Sequence, residues 1–276
     1  METSGWKLWR GIVTRMSEPV LLVSDAAGVR LLCMNRPASK NSLDSELVDA
    51  LSGAFESAAT EATVRALVLT GSGGAFCSGV DLRSAQADLA SPDKLGLRLT
   101  GFHRLIRAIT VAPQPVLAAI EGPAVGFGAD LALACDLRLF ASNGYLEEKF
   151  VALGLMPDGG GTYHLPRLIG LGRALEHQLL GTRFDADTAL RLGLAMQVVE
   201  PSRLMAEASN IARRLAEGPP LALAAIKRSL RAGLDGTLDD ALERERREQL
   251  ALLGTRDVRE GLDAFFARRP PRFEGT

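Results

Sequence analysis

Two glycine-rich turns in the sequence are placed to present backbone N–H groups to a ligand. In AFCSGVDL (75–82), a Ser-Gly step after a strand-like run turns the chain so that the N–H of Val80 points into a cleft. In GPAVGFGAD (122–130), a second strand-like run opens into a helix, and the N–H of Phe127 has no partner inside that helix. Gly126 lets a ligand approach this backbone closely. Two converging N–H groups form an oxyanion hole; two ordinary tight turns are the alternative.

Other chemical patterns in the chain are incomplete. The run GSGG (71–74) lacks the Gly-Lys-Ser/Thr of a phosphate-binding loop, and GFGAD lacks the third glycine of a dinucleotide fingerprint. The histidines do not stand at metal-ligand spacing, and the three cysteines include no CxxC pair. We therefore expect no metal, and cysteines that stay reduced.

Alternating strand and helix patterns surround the two turns. VLLVSD (20–25) and VRLLCMN (29–35) are β-rich runs that form a hairpin, and residues 42–60 carry apolar side chains at helical steps, with Ser42 as N-cap. Repeated strand, turn and helix units predict an α/β fold whose largely parallel sheet is covered on both faces. From about Ser202 the pattern is almost entirely helical.

Composition and charge exclude several classes of protein. The 276 residues are 47% hydrophobic and 24% charged, as in an ordinary soluble domain. Thirty-two basic and 33 acidic residues leave no basic surplus for nucleic acid. No apolar run approaches the roughly 18 residues of a membrane span, and the start of the chain lacks the apolar segment of a secretory signal. We predict a cytoplasmic protein with an N-terminal extension (1–19), a core (20–200) and a C-terminal helical region (201–276).

The ordered motifs resemble the enoyl-CoA hydratase/isomerase superfamily, also called the crotonase superfamily. NRPASKNSLD (35–44) is similar to the family's first signature, and GTRFDADTALRLGLAMQVVE (181–200) and FFARRPPRFEG (265–275) match later segments. AFCSGVDL and AVGFGADLALACD resemble the segments that supply the two oxyanion donors. These donors carry over onto Val80 and Phe127.

This resemblance implies a fold, a substrate class and an assembly. The fold is a crotonase (ClpP-like) spiral of ββα turns with a C-terminal helical trimerisation region. The substrate is an acyl-CoA thioester, so coenzyme A arrives with the substrate and no separate cofactor is expected. Relatives usually form trimers or dimers of trimers, which implies a homotrimer or a hexamer.

The resemblance also implies contacts for coenzyme A. Arg36 and Lys40 flank the first signature and are placed to contact its phosphates, and the adenine rests on the backbone near Ser78 and Asp81. Lys227 resembles a lysine that reaches the phosphate of coenzyme A from a neighbouring subunit. For these cations, an ordinary ion pair is the alternative.

The acidic residues decide which reaction such an oxyanion hole serves. Typical hydratases have glutamates at the positions of Asp130 and Phe150, and Phe150 cannot transfer a proton. Asp158 follows Pro157, where hydratases have glycine, and this resembles the dienoyl-CoA and phenylacetate-type isomerases. We predict double-bond isomerisation, with Asp158 moving a proton and Asp130 as a second acid, base or water ligand. Burial beside Phe150 would raise a carboxylate pKa toward the useful range. Structural roles in a turn and at a helix N-terminus are the alternatives for Asp158 and Asp130.

Two further functions stay open at this point. Hydration would use Asp130, together with Glu148 or Asp158, to activate water. Glu148 lies two residues before Phe150 and would share its face on a regular strand, although a solvated strand-end charge is the more common role. A non-catalytic acyl-CoA-binding protein is the other possibility, because the glutamate at position 150 is missing.

Overall fold

Two sheets organise the chain in the computed structural model, which describes residues 19–88 and 90–276. The strands are β1 (Leu21–Ala26), β2 (Val29–Met34), β3 (Ala66–Gly71), β4 (Val116–Ile120), β5 (Pro123–Val125), β6 (Leu137–Ala141), β7 (Tyr145–Glu147), β8 (Arg183–Asp185) and β9 (Gln197–Val199). The main sheet has the order β1-β2-β3-β4-β6-β9, and the small sheet has the order β5-β7-β8. Residues 1–18, which form nearly all of the predicted N-terminal extension, lie outside the described residues.

Helices of the described residues surround both sheets. They are α1 (Ser45–Thr60), α2 (Leu82–Asp88), α3 (Pro92–Val111), α4 (Phe127–Ala134), α5 (Gly161–Ile169), α6 (Leu171–Leu180), α7 (Ala186–Arg191), α8 (Leu204–Ala216), α9 (Pro220–Gly233), α10 (Leu238–Leu253) and α11 (Arg256–Ala267). Short 3-10 helices lie at Pro37–Ser39, Lys149–Leu153 and Pro201–Arg203. From β2 to β9 the strands of the main sheet pair in parallel. This confirms the predicted α/β fold with a largely parallel sheet, and the chain ends in helices as predicted.

The start of the chain shows how local sequence sets these elements. β1 and β2 form the predicted hairpin, and the positive φ angles of Ala27 (50°) and Gly28 (78°) give a turn that matches the twist of its strands. The next helix begins later than predicted. Asp44, and not Ser42, is the N-cap of α1, because its carboxylate accepts the N–H of Leu47 at 2.9 Å. Ser42 instead donates its hydroxyl to Asp81.

The main sheet is buried on both faces, as predicted. Because side chains alternate along a strand, Leu67 and Leu69 of β3 face the larger apolar core while Ala66 and Val68 face the opposite layer. That opposite layer is α8, which contributes five buried apolar residues: Leu204, Ala208, Ile211, Ala212 and Ala216. The predicted C-terminal region therefore supplies one whole covering layer of the core. None of the helices among the described residues is long and apolar enough to cross a bilayer.

A buried ion-pair network attaches α9 to the edge of the sheet where the parallel strands begin. Asp136, just before β6, lies 2.7 Å from Lys227 Nζ and 2.8 Å from an Arg231 nitrogen. Lys227 also donates to the carbonyls of Ile109 and Gln114, and its side chain is only 8% exposed. A cation held this way is stable only while its carboxylate partner is present.

We expect Asp136→Asn to lower the free energy of unfolding by about 3 kcal/mol, because it leaves two poorly hydrated cations without their counter-charge. Urea unfolding at a fixed protein concentration, followed by far-UV circular dichroism, measures the change. The matched control is Asp235→Asn, which breaks a pair with Arg167 in which the aspartate side chain is 53% exposed. This control should leave the midpoint nearly unchanged; equal shifts in both variants would contradict the anchoring role.

Candidate active site

The loop that contains Val80 pairs with Leu43, and this pairing leaves the N–H of Val80 without a hydrogen-bond partner among the described residues. Leu43 donates its N–H to the carbonyl of Gly79 at 2.8 Å and accepts the N–H of Asp81 at 2.9 Å. In this parallel bridge the intervening N–H, that of Val80, points to the other side of the loop. It donates to no other described residue.

The N–H of Phe127 is also free among the described residues, because Phe127 is the first residue of α4. Gly126, the preceding residue, has φ 54° and ψ −124°, a conformation that side-chain-bearing residues rarely adopt. Its own N–H donates to the carbonyl of Glu147 at 2.8 Å. This bond ties the start of α4 to the small sheet and fixes the direction of the Phe127 N–H.

Gly79 brings the two free N–H groups together. Its φ is 93°, and a Cβ at this position would lie 2.6 Å from the carbonyl oxygen of Val125 and 3.5 Å from the nitrogen of Phe127. The backbone of residue 79 therefore packs directly on the peptide that carries the Phe127 N–H. The N–H of Val80 belongs to the next peptide. The two turns that carry the predicted oxyanion donors are therefore in contact with each other.

Asp130 is the central acid of the site. It lies in the first turn of α4 and is completely buried, and its Oδ2 accepts the N–H of Gly159 at 2.8 Å. A Cβ on Gly159 would lie 2.6 Å from the Asp130 Cβ, and a Cβ on Gly161 would lie 2.2 Å from Asp130 Oδ1. Glycines at these two positions are therefore required for the loop to approach the carboxylate.

Glu148 reaches the same point from the small sheet. The regular strand ends at Glu147, whose carboxylate pairs outward with Lys149 and Arg183, and a 3-10 helix begins immediately afterwards. This change of backbone turns Glu148 inward, where it is 1% exposed. Its Oε1 lies 2.7 Å from the position of a Cβ on Gly161. Glu148 is thus not a solvated strand-end charge.

Phe150 and Asp158 complete the cluster. Phe150 is 8% exposed, and the tip of its ring lies 4.0 Å from the position of a Cβ on Gly126. Asp158 is half-buried, and its Oδ1 is buried without a donor from any described residue. It precedes Gly159, whose Cβ position lies 2.8 Å from the Phe127 ring. The predicted acids and the predicted donors therefore share one site.

Burial raises the pKa values of the carboxyl groups in this site. Burial, and next the negative charge of Glu148, raise the pKa of Asp130 well above its ordinary value. Burial also raises the pKa of Glu148 to about 7 and raises the pKa of Asp158, against the charge of His103. A carboxyl group whose pKa is raised in this way holds its proton to a higher pH than an ordinary carboxyl group, as a proton-transferring residue requires.

Four of the five residues predicted to contact coenzyme A lie around the Val80 loop. Arg36 pairs with Asp81 at 3.0 Å, and the Ser78 hydroxyl and N–H donate to the carbonyls of Ser39 and Lys40 at 2.9 Å. Lys40 itself is exposed.

Lys227 is not brought to this loop. Within the chain it lies at the opposite edge of the sheet, where its three N–H bonds are taken by Asp136 and two carbonyls. Within the single chain Lys227 therefore makes the ion pair that was the alternative, and its contact to coenzyme A in a neighbouring subunit stays a prediction. The described residues also contain no group of three or more acids, histidines and cysteines arranged to hold a metal.

Comparison with known proteins identifies the family. The enoyl-CoA hydratase/isomerase family profile matches residues 24–276. The chain belongs to this family. A crystal structure of enoyl-CoA hydratase from Bacillus anthracis superposes with a TM-score of 0.90 at 34% identity, over 93% of this chain and 100% of that one.

Two Escherichia coli proteins are similar in sequence. The 1,2-epoxyphenylacetyl-CoA isomerase is 38% identical over 90% of this chain and 95% of its own length. The 2,3-dehydroadipyl-CoA hydratase is 35% identical over 94% of this chain and 100% of its own length. The chain is therefore an enzyme of the enoyl-CoA hydratase/isomerase family that acts on acyl-CoA.

The roles of Gly159 and Gly161 were missed in the sequence. The Gly-Gly-Gly run after Asp158 predicts a turn, but its spacing says nothing about a carboxylate from α4 that needs the room of a missing Cβ. For Glu148 the sequence left both an inward and a solvated position open, since regular strand alternation was the only available rule.

We expect Gly161→Ala to reduce kcat/KM for an enoyl-CoA by about 100-fold, because its methyl group displaces Asp130 and Glu148 and an ångström-scale misplacement costs about that much. Gly172→Ala is the matched control, since a Cβ there meets nothing within 4 Å. Steady-state kinetics with a circular dichroism check of folding measures the effect. Normal kinetics in Gly161→Ala would contradict the close packing at residue 161.

Proposed function

We propose that this family member is an enoyl-CoA isomerase that moves a carbon–carbon double bond along the acyl chain. The observation that carries the proposal is Asp158, whose buried Oδ1 has no donor among the described residues and which directly precedes Gly159, the glycine packed against the Phe127 ring. A carboxylate with an unoccupied, partly desolvated oxygen is equipped to take a proton from a bound substrate.

The reaction begins at the carbon next to the thioester carbonyl. The Asp158 carboxylate takes a proton from this carbon, and the electron pair of the broken C–H bond forms an enolate. The N–H groups of Val80 and Phe127 donate to the enolate oxygen, and losing one such donor typically costs on the order of 10²–10³ in rate. A proton then returns to a more distant carbon, and the double bond moves.

Two further facts support isomerisation. Phe150 occupies the position of the second hydratase glutamate, so that position supplies no base for water. The similar 1,2-epoxyphenylacetyl-CoA isomerase of Escherichia coli is itself named as an isomerase.

Hydration is the second candidate, because Asp130 and Glu148 converge on one point, as the two acids of a hydratase must. The similarity to 2,3-dehydroadipyl-CoA hydratase agrees with this candidate. The idea of a non-catalytic binder was motivated by a missing acid. Glu148 brings a second buried carboxylate to the site and removes that motive.

We also propose that the loops around Val80 hold coenzyme A through Arg36, Lys40, Ser78 and Asp81, and that the chain forms a homotrimer or a hexamer. The assembly is supported by large apolar side chains on α9, α10 and α11, and at the residue just after α9, that are more than half exposed in the single chain. These side chains are Ile226, Leu230, Leu234, Leu238, Leu242, Leu250, Leu253, Leu262, Phe265 and Phe266. A cytoplasmic location stays a prediction.

Asp158→Asn is expected to lower the rate of 3-enoyl-CoA isomerisation by on the order of 10²–10⁴, because an amide cannot accept the proton. The growth of 2-enoyl thioester absorbance follows the reaction, and loss of that absorbance on a 2-enoyl substrate would report hydration instead. Asp93→Asn, an exposed aspartate in the first turn of α3, is the matched control. Unchanged turnover in Asp158→Asn would exclude Asp158 as the proton carrier.

A further inference from the structure

Three carboxylate oxygens at the centre of the site are buried without a hydrogen-bond donor among the described residues. They are Asp130 Oδ1, Glu148 Oε1 and Glu148 Oε2. The two carboxyl groups meet at Gly161, where Asp130 Oδ1 and Glu148 Oε1 lie 2.2 Å and 2.7 Å from the same Cβ position. Two ionised carboxylates this close, and this far from water, repel each other and lack any compensation.

The surroundings of the pair offer no positive charge among the described residues. The N–H of Gly159 satisfies only Asp130 Oδ2, and the nearest charged group acting on Asp130 besides Glu148 is Asp158, which is also an acid. His103 of α3 acts on Asp158 rather than on the pair.

The remaining elements around the pair give the same result. From α6 the neutral amide of Gln178, whose Nε2 is itself without a partner, lies toward Glu148 and lowers the pKa of that carboxyl group. Lys149 is the adjacent cation, and it is turned away toward Glu147. The Gln178 amide can donate to Glu148 alone, so a proton between the two carboxyl groups is the available way to satisfy Asp130 Oδ1 as well.

We infer that Asp130 and Glu148 share one proton, and that Glu148 is a positioning residue that keeps Asp130 protonated so that Asp130, opposite Asp158, can protonate the distant carbon of the substrate. The role of this proton in the reaction rests on the proposed isomerase function. The sharing itself rests only on the burial and convergence of the two carboxyl groups.

The proton balance of the reaction is complete with these groups. Asp158 takes the proton from the carbon next to the thioester, and its C–H electron pair enters the dienolate. The O–H bond of Asp130 then breaks, and an electron pair of the dienolate forms the new C–H bond at the distant carbon. The pair is left with two negative charges and Asp158 with one proton, and exchange with solvent restores both. Nothing is oxidised or reduced.

The shared proton is expected to appear in the infrared carbonyl stretch of an un-ionised carboxylic acid in D₂O at neutral pH. Raising the pH removes the proton, so the band is lost as pH rises through the pKa of the pair. Glu148→Gln removes one negative charge, which lowers the pKa of Asp130 by on the order of one to three units. The band and the alkaline limb of the isomerase pH–rate profile should then both move to lower pH by this amount.

Glu147→Gln is the matched control, because it makes the same change one residue away on a side chain that pairs outward. It should leave the band and the profile where they are in the wild type. Asp130→Asn tests the pair from the other side, since removing its charge should likewise lower the pH at which Glu148 loses its proton. Circular dichroism checks that these isosteric amides fold.

The outcomes separate the two proposals. Absence of the band in the wild type at neutral pH, or a band that Glu148→Gln and Asp130→Asn leave unmoved, would overturn the shared proton. A band that moves in both variants supports sharing even if the enzyme only hydrates its substrates, in which case the isomerase proposal alone fails. Deuterium at the distant carbon of product formed in D₂O supports Asp130 as the donor, and full retention of the original proton there would contradict it.

Discussion

The hydrogen bond from the Gly159 N–H to Asp130 is the contact on which the geometry of the site depends. It holds a glycine turn against the first turn of α4, at a distance that any Cβ would prevent. Asp158 directly precedes Gly159 in this loop, and Gly161, two residues after the contact, leaves room for Glu148 beside Asp130. A single backbone-to-carboxylate bond thus sets the relative positions of three acids and one oxyanion donor.

The rigidity of this contact comes from the layers beneath it. α4 is buried along its whole length, and its N-terminus is tied to the small sheet through Gly126 and Glu147. Charged groups inside such a core are costly unless they are paired or protonated. The structure contains both a paired aspartate and a buried aspartate without a cation partner among the described residues, at opposite ends of the strands of the main sheet. Asp136 is paired with two cations where the strands begin, and Asp130 meets another acid where they end. Only the second arrangement leaves a proton to move.

The parts of the fold and site that depend on local sequence were predictable, and those that depend on distant contacts were not. Periodicity predicted the layers, and glycine placement predicted the free N–H groups of Val80 and Phe127, because both depend on local backbone chemistry. Glu148 was one of two alternatives in the sequence, an acid of the site or a solvated strand-end charge. The sequence could not decide between them, since the strand gives way to a 3-10 helix between Glu147 and Lys149 and strand alternation stops applying. Lys227 shows a second limit of prediction from sequence, which is the identity of a distant partner. Its charge was visible, but its partner Asp136 is 91 positions away in the sequence and only the fold brings them together.

Phe150 supplies no base, and its ring also forms an apolar surface near the proposed oxyanion donors. Its ring is almost fully buried and ends near Gly126, so an apolar surface lines the approach to the oxyanion donors. Excluding water strengthens the hydrogen bonds that these donors make to an enolate, and it also removes the reactant that hydration requires. An isomerase needs the first effect and benefits from the second. In the proposed isomerase, Phe150 and the inward turn of Glu148 are therefore parts of one arrangement. Glu148 would serve as a proton partner for Asp130, while Phe150 fills the position at which a hydratase has its second glutamate.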